Sequence, residues 1–140
     1  LGEEEVLRQR IGLSKDYIDD LQIEYTRLFI NAYPTILAPP YESYYRSYGN
    51  FLNDVITQEG VKFYQKCGYR HNKSSEFPDH ITSELQFLGL LIKDKLYTEY
   101  NEFLNTHFKV WFPEFKKRVM VSAEHLFYSV IVRLIEFSIN

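Results

Sequence analysis

The sequence predicts an all-α fold: a single helical-bundle domain of about five to seven helices that spans residues 1–140. Apolar residues recur at intervals of three and four in several stretches of the chain, which is the spacing of a helix face. No stretch alternates apolar and polar residues between turn residues, the pattern that is typical of a strand. The length of 140 residues fits one domain with a core of its own.

The first helix is predicted at about Lys15–Ile30, after a poorly defined lead-in of residues 1–14. Ser14 supplies an N-cap oxygen, and acidic residues follow in the first turns, where the helix dipole favours negative charge. The apolar face of this helix consists of Ile18, Leu21, Tyr25, Leu28 and Phe29. The face expected to lie in water consists of Asp20, Glu24, Arg27 and Asn31.

Residues 31–56 are predicted to form a long connection, because Pro34, Pro39 and Pro40 forbid a continuous helix. Thr57 is expected to cap a short helix that ends at Gly68, since glycine suits the left-handed position after a helix. Residues 69–78 are polar and turn-like, so a second connection is expected there.

The longest helical stretch is predicted to open at Asp79 and to be central and buried, because it is apolar over most of its circumference. Its core face steps through Ile81, Leu85, Leu88 and Ile92. A narrow polar stripe steps through Thr82, Gln86, Gly89 and Lys93. The apolar pattern resumes at a shifted phase after Lys95, which predicts a break near Asp94–Thr98.

Two more helices are predicted towards the end of the chain. Pro113 is expected to start a short helix, since proline is favoured in a first helical turn. Ser122 is expected to cap the last helix. The predicted core face of that helix consists of Ala123, Leu126, Phe127, Val130, Leu134 and Phe137.

Composition and charge narrow the class of protein. A formal net charge of −3 gives no electrostatic reason to bind nucleic acid or an anionic membrane. No apolar run is long enough to span a bilayer, and the acidic first residues carry no secretory leader. The single cysteine, Cys67, cannot form an internal disulfide and indicates a reducing compartment, so a cytoplasmic location is expected.

Catalytic motifs are missing from the sequence. The six glycines form no phosphate-binding loop, and no nucleophile elbow is present. A protein without enzymatic activity and without a cofactor is therefore expected. His80 and Glu84, four residues apart beside Asp79 and Ser83, would supply part of a metal-ligand set, so a small metal-dependent helical enzyme stays an alternative.

The residues that remain point to a binding surface. The segment PPYESYYRSYG carries four tyrosines and Glu42, and the segment EFPDH carries Glu76, Asp79 and His80. Aromatic walls beside carboxylates suit a ligand that is partly apolar and partly cationic, such as an arginine-bearing peptide. In the alternative interpretation the tyrosines only seal the loop onto the bundle. The chain would then be a helical interaction subunit that binds a folded partner.

Three segments carry a resemblance to a known family: IEYTRLFINAYPTILAPPYESYY, EFPDHITSELQFLGLL and FLNTHFKVWFPEF. In this order, and followed by a final helix that closes the domain, they resemble the TorD/DmsD/NarJ family of redox-enzyme maturation chaperones across about residues 22–139. The resemblance implies an all-helical TorD-like chaperone that catalyses no reaction. It also implies a partner: the precursor of a molybdenum-cofactor oxidoreductase, bound through its twin-arginine signal peptide or another segment until the cofactor is inserted and export can proceed.

The resemblance also implies peptide-binding residues. Tyr25, Leu28 and Phe29 match the family's helix end; Pro40, Tyr41, Ser43 and Tyr45 match its loop; Asp79 and His80 match its PDH motif. The carboxylates Glu42, Glu76 and Glu84 are further candidates to pair with arginines. Family members usually carry more helices before the first block. This chain is therefore expected to be a short member, an incomplete chain, or a homodimer that completes its core with a second subunit.

Overall fold

The computed structural model describes residues 2–3, 15–49, 52–73 and 75–140. Helices dominate this part of the chain, and its only β-type pairing is an isolated bridge between Tyr41 and His80. The prediction of an all-α fold is confirmed. Ser14 and nearly all of the lead-in lie outside the described residues.

Two compact units make up the chain. The terminal unit comprises the described residues up to Ala38 together with Arg118–Ser138 and Asn140. The central unit comprises Pro39–Lys117 together with Ile139. That residues 1–140 form one domain stays a prediction.

The terminal unit contains helix α1, Lys15–Tyr25, which continues as a π-helical turn, Thr26–Ile30. These bounds agree with the predicted first helix. Within this unit the Tyr128 hydroxyl donates to the Leu21 carbonyl over 2.6 Å. The Phe29 ring lies 5.1 Å from the Tyr25 ring and 5.6 Å from the Tyr128 ring, centroid to centroid.

Glu24 does not lie in water as the helix pattern predicts. Its side chain is buried and accepts two hydrogen bonds from the Arg27 guanidinium, at 2.8 and 2.9 Å. Its Oε1 also accepts from the backbone N–H of Glu124 over 2.7 Å. The buried charge of Glu24 is tolerated because its carboxylate has hydrogen-bond partners. One of them, the N–H of Glu124, lies 100 positions away in sequence.

The central unit contains a five-residue helix and three longer ones: α2 (Glu42–Arg46), α3 (Asp54–Lys66), α4 (Ile81–Lys93) and α5 (Tyr97–Phe103). A π-helical turn, Leu104–Phe108, follows α5. Helix α6, Lys109–Ser122, comes next, and the boundary between the units falls inside it. The core of the central unit is aromatic, with the Phe87 ring 4.4 Å from Tyr64 and 4.9 Å from Phe103.

The connection predicted at 31–56 is shorter than expected. It contains α2, and α3 begins at Asp54 rather than after Thr57. Asn53 is the N-cap of α3, because its side chain accepts from the backbone N–H of Val55 over 2.9 Å. The expected helix end is confirmed, since Gly68 has a φ of 85°, in the left-handed region that favours glycine.

Helix α4 is rotated relative to the predicted core face. Its N-cap is His80 rather than Asp79, and Ile92 is 48% exposed while Phe87 and Leu91 are buried. The buried side of the helix also includes Ser83 and Glu84, and Glu84 accepts a hydrogen bond from Trp111. The polar stripe is exposed as predicted. The break is confirmed, because α4 ends at Lys93 and Lys95 has a φ of 59°.

Pro113 does not start a helix, because it lies inside α6. The helix continues through Pro113 because the fixed φ of proline is helical, although proline has no N–H and one backbone hydrogen bond is lost. Helix α7, Leu126–Ile139, is capped by His125 rather than Ser122, since the His125 Nδ1 accepts from the N–H of Phe127 over 3.2 Å.

The predicted core face of α7 is largely exposed. Phe137 is 82% exposed, and only Val132 among the described residues of this helix is buried. The other exposed members are Leu126, Phe127, Val130 and Leu134. An apolar pattern of helical period fixes which residues share a face, but not whether another element covers that face.

Candidate functional site

The candidate site lies in the central unit, where the loop before α2 meets the N-terminus of α4. The Ile81 N–H donates to the Pro40 carbonyl over 2.9 Å, and the Glu42 N–H donates to the Asp79 carbonyl over 3.0 Å. The Tyr41 and His80 rings pack edge to face, 5.1 Å apart. The structure therefore brings the predicted loop residues and the predicted PDH residues together through backbone pairing.

Asp79 binds the first turn of α2. Its Oδ2 accepts from the backbone N–H of Ser43 over 3.0 Å, and the residue is 3% exposed. The first N–H groups of a helix have no partner inside the helix, and a carboxylate at that end is stabilised by the dipole. Asp79 thus caps the helix across the loop rather than the helix that follows it in sequence.

His80 caps α4 in its neutral form. Its Nδ1 accepts from the backbone N–H of Thr82 over 3.0 Å, which requires that this nitrogen carries no proton. Burial lowers the pKa of His80 below its ordinary value of 6.5. The nearby carboxylates of Glu76 and Asp79 oppose this effect without reversing it.

Glu42 is a buried carboxylate with two cationic or polar partners. It is 1% exposed, and its Oε2 accepts from the Arg46 guanidinium over 2.8 Å. The Nδ1 of His107 lies 3.0 and 3.1 Å from its two oxygens and donates to them. Glu42 therefore joins α2 to the π-helical turn that follows α5.

Glu84, also 1% exposed, faces Glu42. Its Oε1 accepts from the indole N–H of Trp111 over 3.0 Å. Burial first, and then the Glu42 carboxylate, raise the pKa of Glu84 well above 4.5. Its Oε2 meets no donor among the described residues, while a hydrogen bond with the Glu42 side chain contributes to the raised pKa. Two carboxylates can form that bond only when one is protonated, so Glu84 carries a proton and donates it to Glu42.

A cavity of about 230 Å³ opens beside Asp79. Its lining combines two acidic residues, Asp54 and Asp79, with two apolar residues, Leu52 and Phe77. Asp54 and Phe77 are both exposed. Ser43, Asn53 and Thr57 complete the lining. An acidic and apolar cavity of this kind suits a cationic side chain with a long aliphatic stem.

The other predicted residues lie in different environments. In the central unit Glu76 is exposed, Tyr41 is half-buried, and Tyr45 stacks on Trp111 with ring centroids 5.6 Å apart. In the terminal unit Leu28 is buried, whereas Tyr25 is exposed and Phe29 is half-buried.

Sequence reasoning missed the donors that hold the buried acids. His107 and Trp111 bind Glu42 and Glu84, and Arg46 completes the ion pair with Glu42. A signal was present in the segment FLNTHFKVW, where His107 and Trp111 are four residues apart and so share a helix face. Asp54 was missed because nothing local marks it as part of a cavity.

No three His, Cys, Asp or Glu side chains within the described residues are grouped so that they could hold a metal ion. None of the described helices has the length and apolar character that crossing a membrane requires.

Comparison with known proteins gives three similarities. The model of the family described as nitrate reductase delta subunit matches residues 3–117. The selenate reductase assembly chaperone protein of Thauera selenatis is 32% identical over 79 residues, an alignment that covers 47% of this chain and 41% of the relative. The chain thus spans less than half of that relative's length. A crystal structure from Archaeoglobus fulgidus, provisionally described as a redox enzyme maturation protein, has a TM-score of 0.65 and 31% identity, covering 96% of this chain and 82% of the other.

Proposed function

The chain belongs to the nitrate reductase delta subunit family, and we propose that it is an assembly chaperone for a molybdenum-cofactor oxidoreductase. The names of the two similar proteins, one an assembly chaperone and one a maturation protein, support this role. The chaperone works in the cytoplasm without catalysis or a cofactor of its own. It binds the precursor through its twin-arginine signal peptide or another exposed segment, and assists cofactor insertion and export.

The cavity beside Asp79 is the observation that carries the peptide-binding part of the proposal. An arginine side chain placed there would meet the Asp54 and Asp79 carboxylates, while its stem would pack on Phe77 and Leu52. Asp54 is the better placed of the two acids, because it is exposed and Asp79 already accepts from Ser43. Glu76, also exposed, adds negative charge nearby in sequence.

The buried members of the predicted set act by holding this cavity in shape. Glu42, Glu84 and His80 each form a hydrogen bond within the central unit, with His107, Trp111 and Thr82 respectively. Removing such a group leaves a buried donor without a partner. In the terminal unit, the accessible rings of Tyr25 and Phe29 offer an apolar surface to the uncharged part of a peptide.

Titration of a labelled twin-arginine peptide, followed by fluorescence anisotropy, tests the proposal. Losing one charge-assisted hydrogen bond costs about 1.5–3 kcal/mol, so Asp54→Asn should weaken binding roughly tenfold to a hundredfold with little change in stability. Asp79→Asn keeps an oxygen for Ser43, so it should weaken binding by a similar factor while still folding. A twin-lysine peptide should bind less tightly, because lysine lacks the planar fork of arginine.

Asp19→Asn is the matched control, because Asp19 is exposed on α1 in the terminal unit and the charge change is the same. Peptide binding that ignores both cavity variants and the arginine-to-lysine change would contradict the site. It would favour instead a helical interaction subunit that recognises a folded partner.

A further inference from the structure

The segment between α3 and α4 borders two adjoining cavities on the central unit. One is about 250 Å³ and lies against Tyr64 and Phe87; the other is about 970 Å³ and lies against Gln58 and Gln65. Both cavities share the same three wall residues, Arg70, His71 and Asn72. Together with Lys73, which lines the larger cavity, these residues define a basic cleft.

The backbone that carries the basic cleft is anchored at its start. Gly68 turns the chain out of α3 with a φ of 85°. The Tyr69 N–H donates to the Tyr64 carbonyl over 2.9 Å, and the Tyr69 hydroxyl donates to the Asp94 carboxylate. Arg70 and His71 therefore leave a fixed point on the surface, and the Asp94 carboxylate is already engaged by a neutral donor.

The charge of the basic cleft has one sign. Arg70 lines both cavities and Lys73 lines the larger one, and no carboxylate of the described residues lines either. Neither Arg70 nor Lys73 forms an ion pair within the described part of the chain. This concentration of positive charge occurs in a chain of net charge −3, so it is not a by-product of a basic composition.

One buried polar atom in the basic cleft has no partner among the residues that the structure describes. The Nε2 of His71 is shielded from solvent and forms no hydrogen bond with any of them. A buried nitrogen of this kind costs free energy unless something binds it. An acceptor oxygen on a bound group would satisfy a protonated Nε2 and would meet the Arg70 guanidinium in the same cleft.

The neutral part of the lining indicates what carries the anion. Beside the apolar residues Val61 and Pro78, three residues with side-chain amides, Gln58, Gln65 and Asn72, line the larger cavity. Amides donate to and accept from a peptide backbone. We infer that the basic cleft binds an acidic segment of a partner polypeptide, whose Asp or Glu side chain pairs with Arg70. This site is separate from the acidic cavity beside Asp79 and does not depend on the proposed peptide ligand.

Titration calorimetry of the full chain at low salt, with a blocked peptide of alternating glutamate and alanine as the probe, tests the inference. The glutamate peptide should bind at least tenfold more tightly than the same peptide with glutamine in place of glutamate. Arg70→Gln and Lys73→Gln should each weaken binding several-fold to tenfold, since both side chains are exposed and their loss should not prevent folding. Arg133→Gln is the matched control, because Arg133 is an exposed arginine on α7, outside the basic cleft.

Three results would overturn the inference. They are equal affinity for the glutamate and glutamine peptides, equal affinity of the Arg70→Gln and Arg133→Gln variants, and no measurable binding of the glutamate peptide. Inorganic phosphate is a separate arm of the experiment. Phosphate that binds as tightly as the glutamate peptide, with the same dependence on Arg70, would assign the basic cleft to a small oxyanion and would reject a polypeptide ligand.

Discussion

Replacing Glu84 with glutamine tests the shared proton at the centre of the candidate site. Glutamine has nearly the same shape, its carbonyl can accept from the Trp111 indole N–H, and its amide can donate to Glu42. The variant therefore keeps both hydrogen bonds of the protonated acid but has no proton to lose. The free energy of unfolding of the variant should therefore lack the pH dependence that Glu84 gives to the native chain.

The sign of the effect follows from the raised pKa of Glu84. The folded state holds the proton more tightly than the unfolded state, so the contribution to stability is complete below pH 4.5. It is lost as the pH rises from there towards the folded pKa. For one proton the loss is about 1.4 kcal/mol per pH unit. Within this window, the free energy of unfolding of the Glu84→Gln variant should therefore rise relative to that of the native chain by the same amount for each unit of pH.

Urea unfolding followed by tryptophan fluorescence, repeated from pH 4 to pH 8, measures the difference. Trp111 is the one tryptophan of the chain, it is fully buried, and it contacts Glu84. Asp19→Asn, on the exposed side of α1, is the control for removing a carboxylate. A free energy difference between native and Glu84→Gln chains that stays constant across this range would refute the shared proton.

Three further outcomes are expected from the burial and hydrogen bonds of single side chains. Leu91→Ala should lower the free energy of unfolding by about 2–5 kcal/mol, because Leu91 is fully buried, while Ile92→Ala should lower it by under about 1 kcal/mol. Equal losses in urea unfolding would show that the buried face of α4 is not the one described. Glu24→Gln should lower the free energy of unfolding by about 1.5–3 kcal/mol at pH 7. Since the Arg27 hydrogen bond lowers the pKa of Glu24, this loss should shrink as the pH falls below 4.5. A loss that does not depend on pH would argue against the ion pair. His80→Asn retains a capping side chain. Because burial lowers the pKa of His80, the native chain should lose stability as the pH falls below 6.5, and the variant should not lose this contribution. Equal changes in the thermal stability of both chains between pH 7 and pH 5 would exclude a neutral cap.

Helix boundaries in this chain followed mostly from local chemistry. The period of the apolar residues predicted the helix at Lys15–Ile30, and the structure has it with a π-helical final turn. Gly68 and the break after Lys93 were also predicted from their own neighbourhoods. Caps were less predictable, because several polar residues near a helix start compete for the same N–H groups, and histidines hold two of those positions.

The sequence allowed prediction of which segments form the candidate site, but not of the contacts that their side chains make. The loop and PDH segments were marked by their tyrosines and acids, and the structure joins them through Tyr41 and His80. That Asp79 caps α2 and that Glu84 shares a proton with Glu42 depends on partners 36 and 42 positions away in sequence. No local pattern carries that information.

The amino-acid sequence by itself determined that this chain is helical and roughly where its longer helices lie, because backbone preference depends on the nearest few residues. Only the tertiary structure decided which faces are covered. Glu24 and Glu84 are buried although they are acids, and Phe137 is exposed although it is apolar. The free energy of burying a side chain depends on the groups that surround it, and in a folded chain those groups come from distant parts of the sequence.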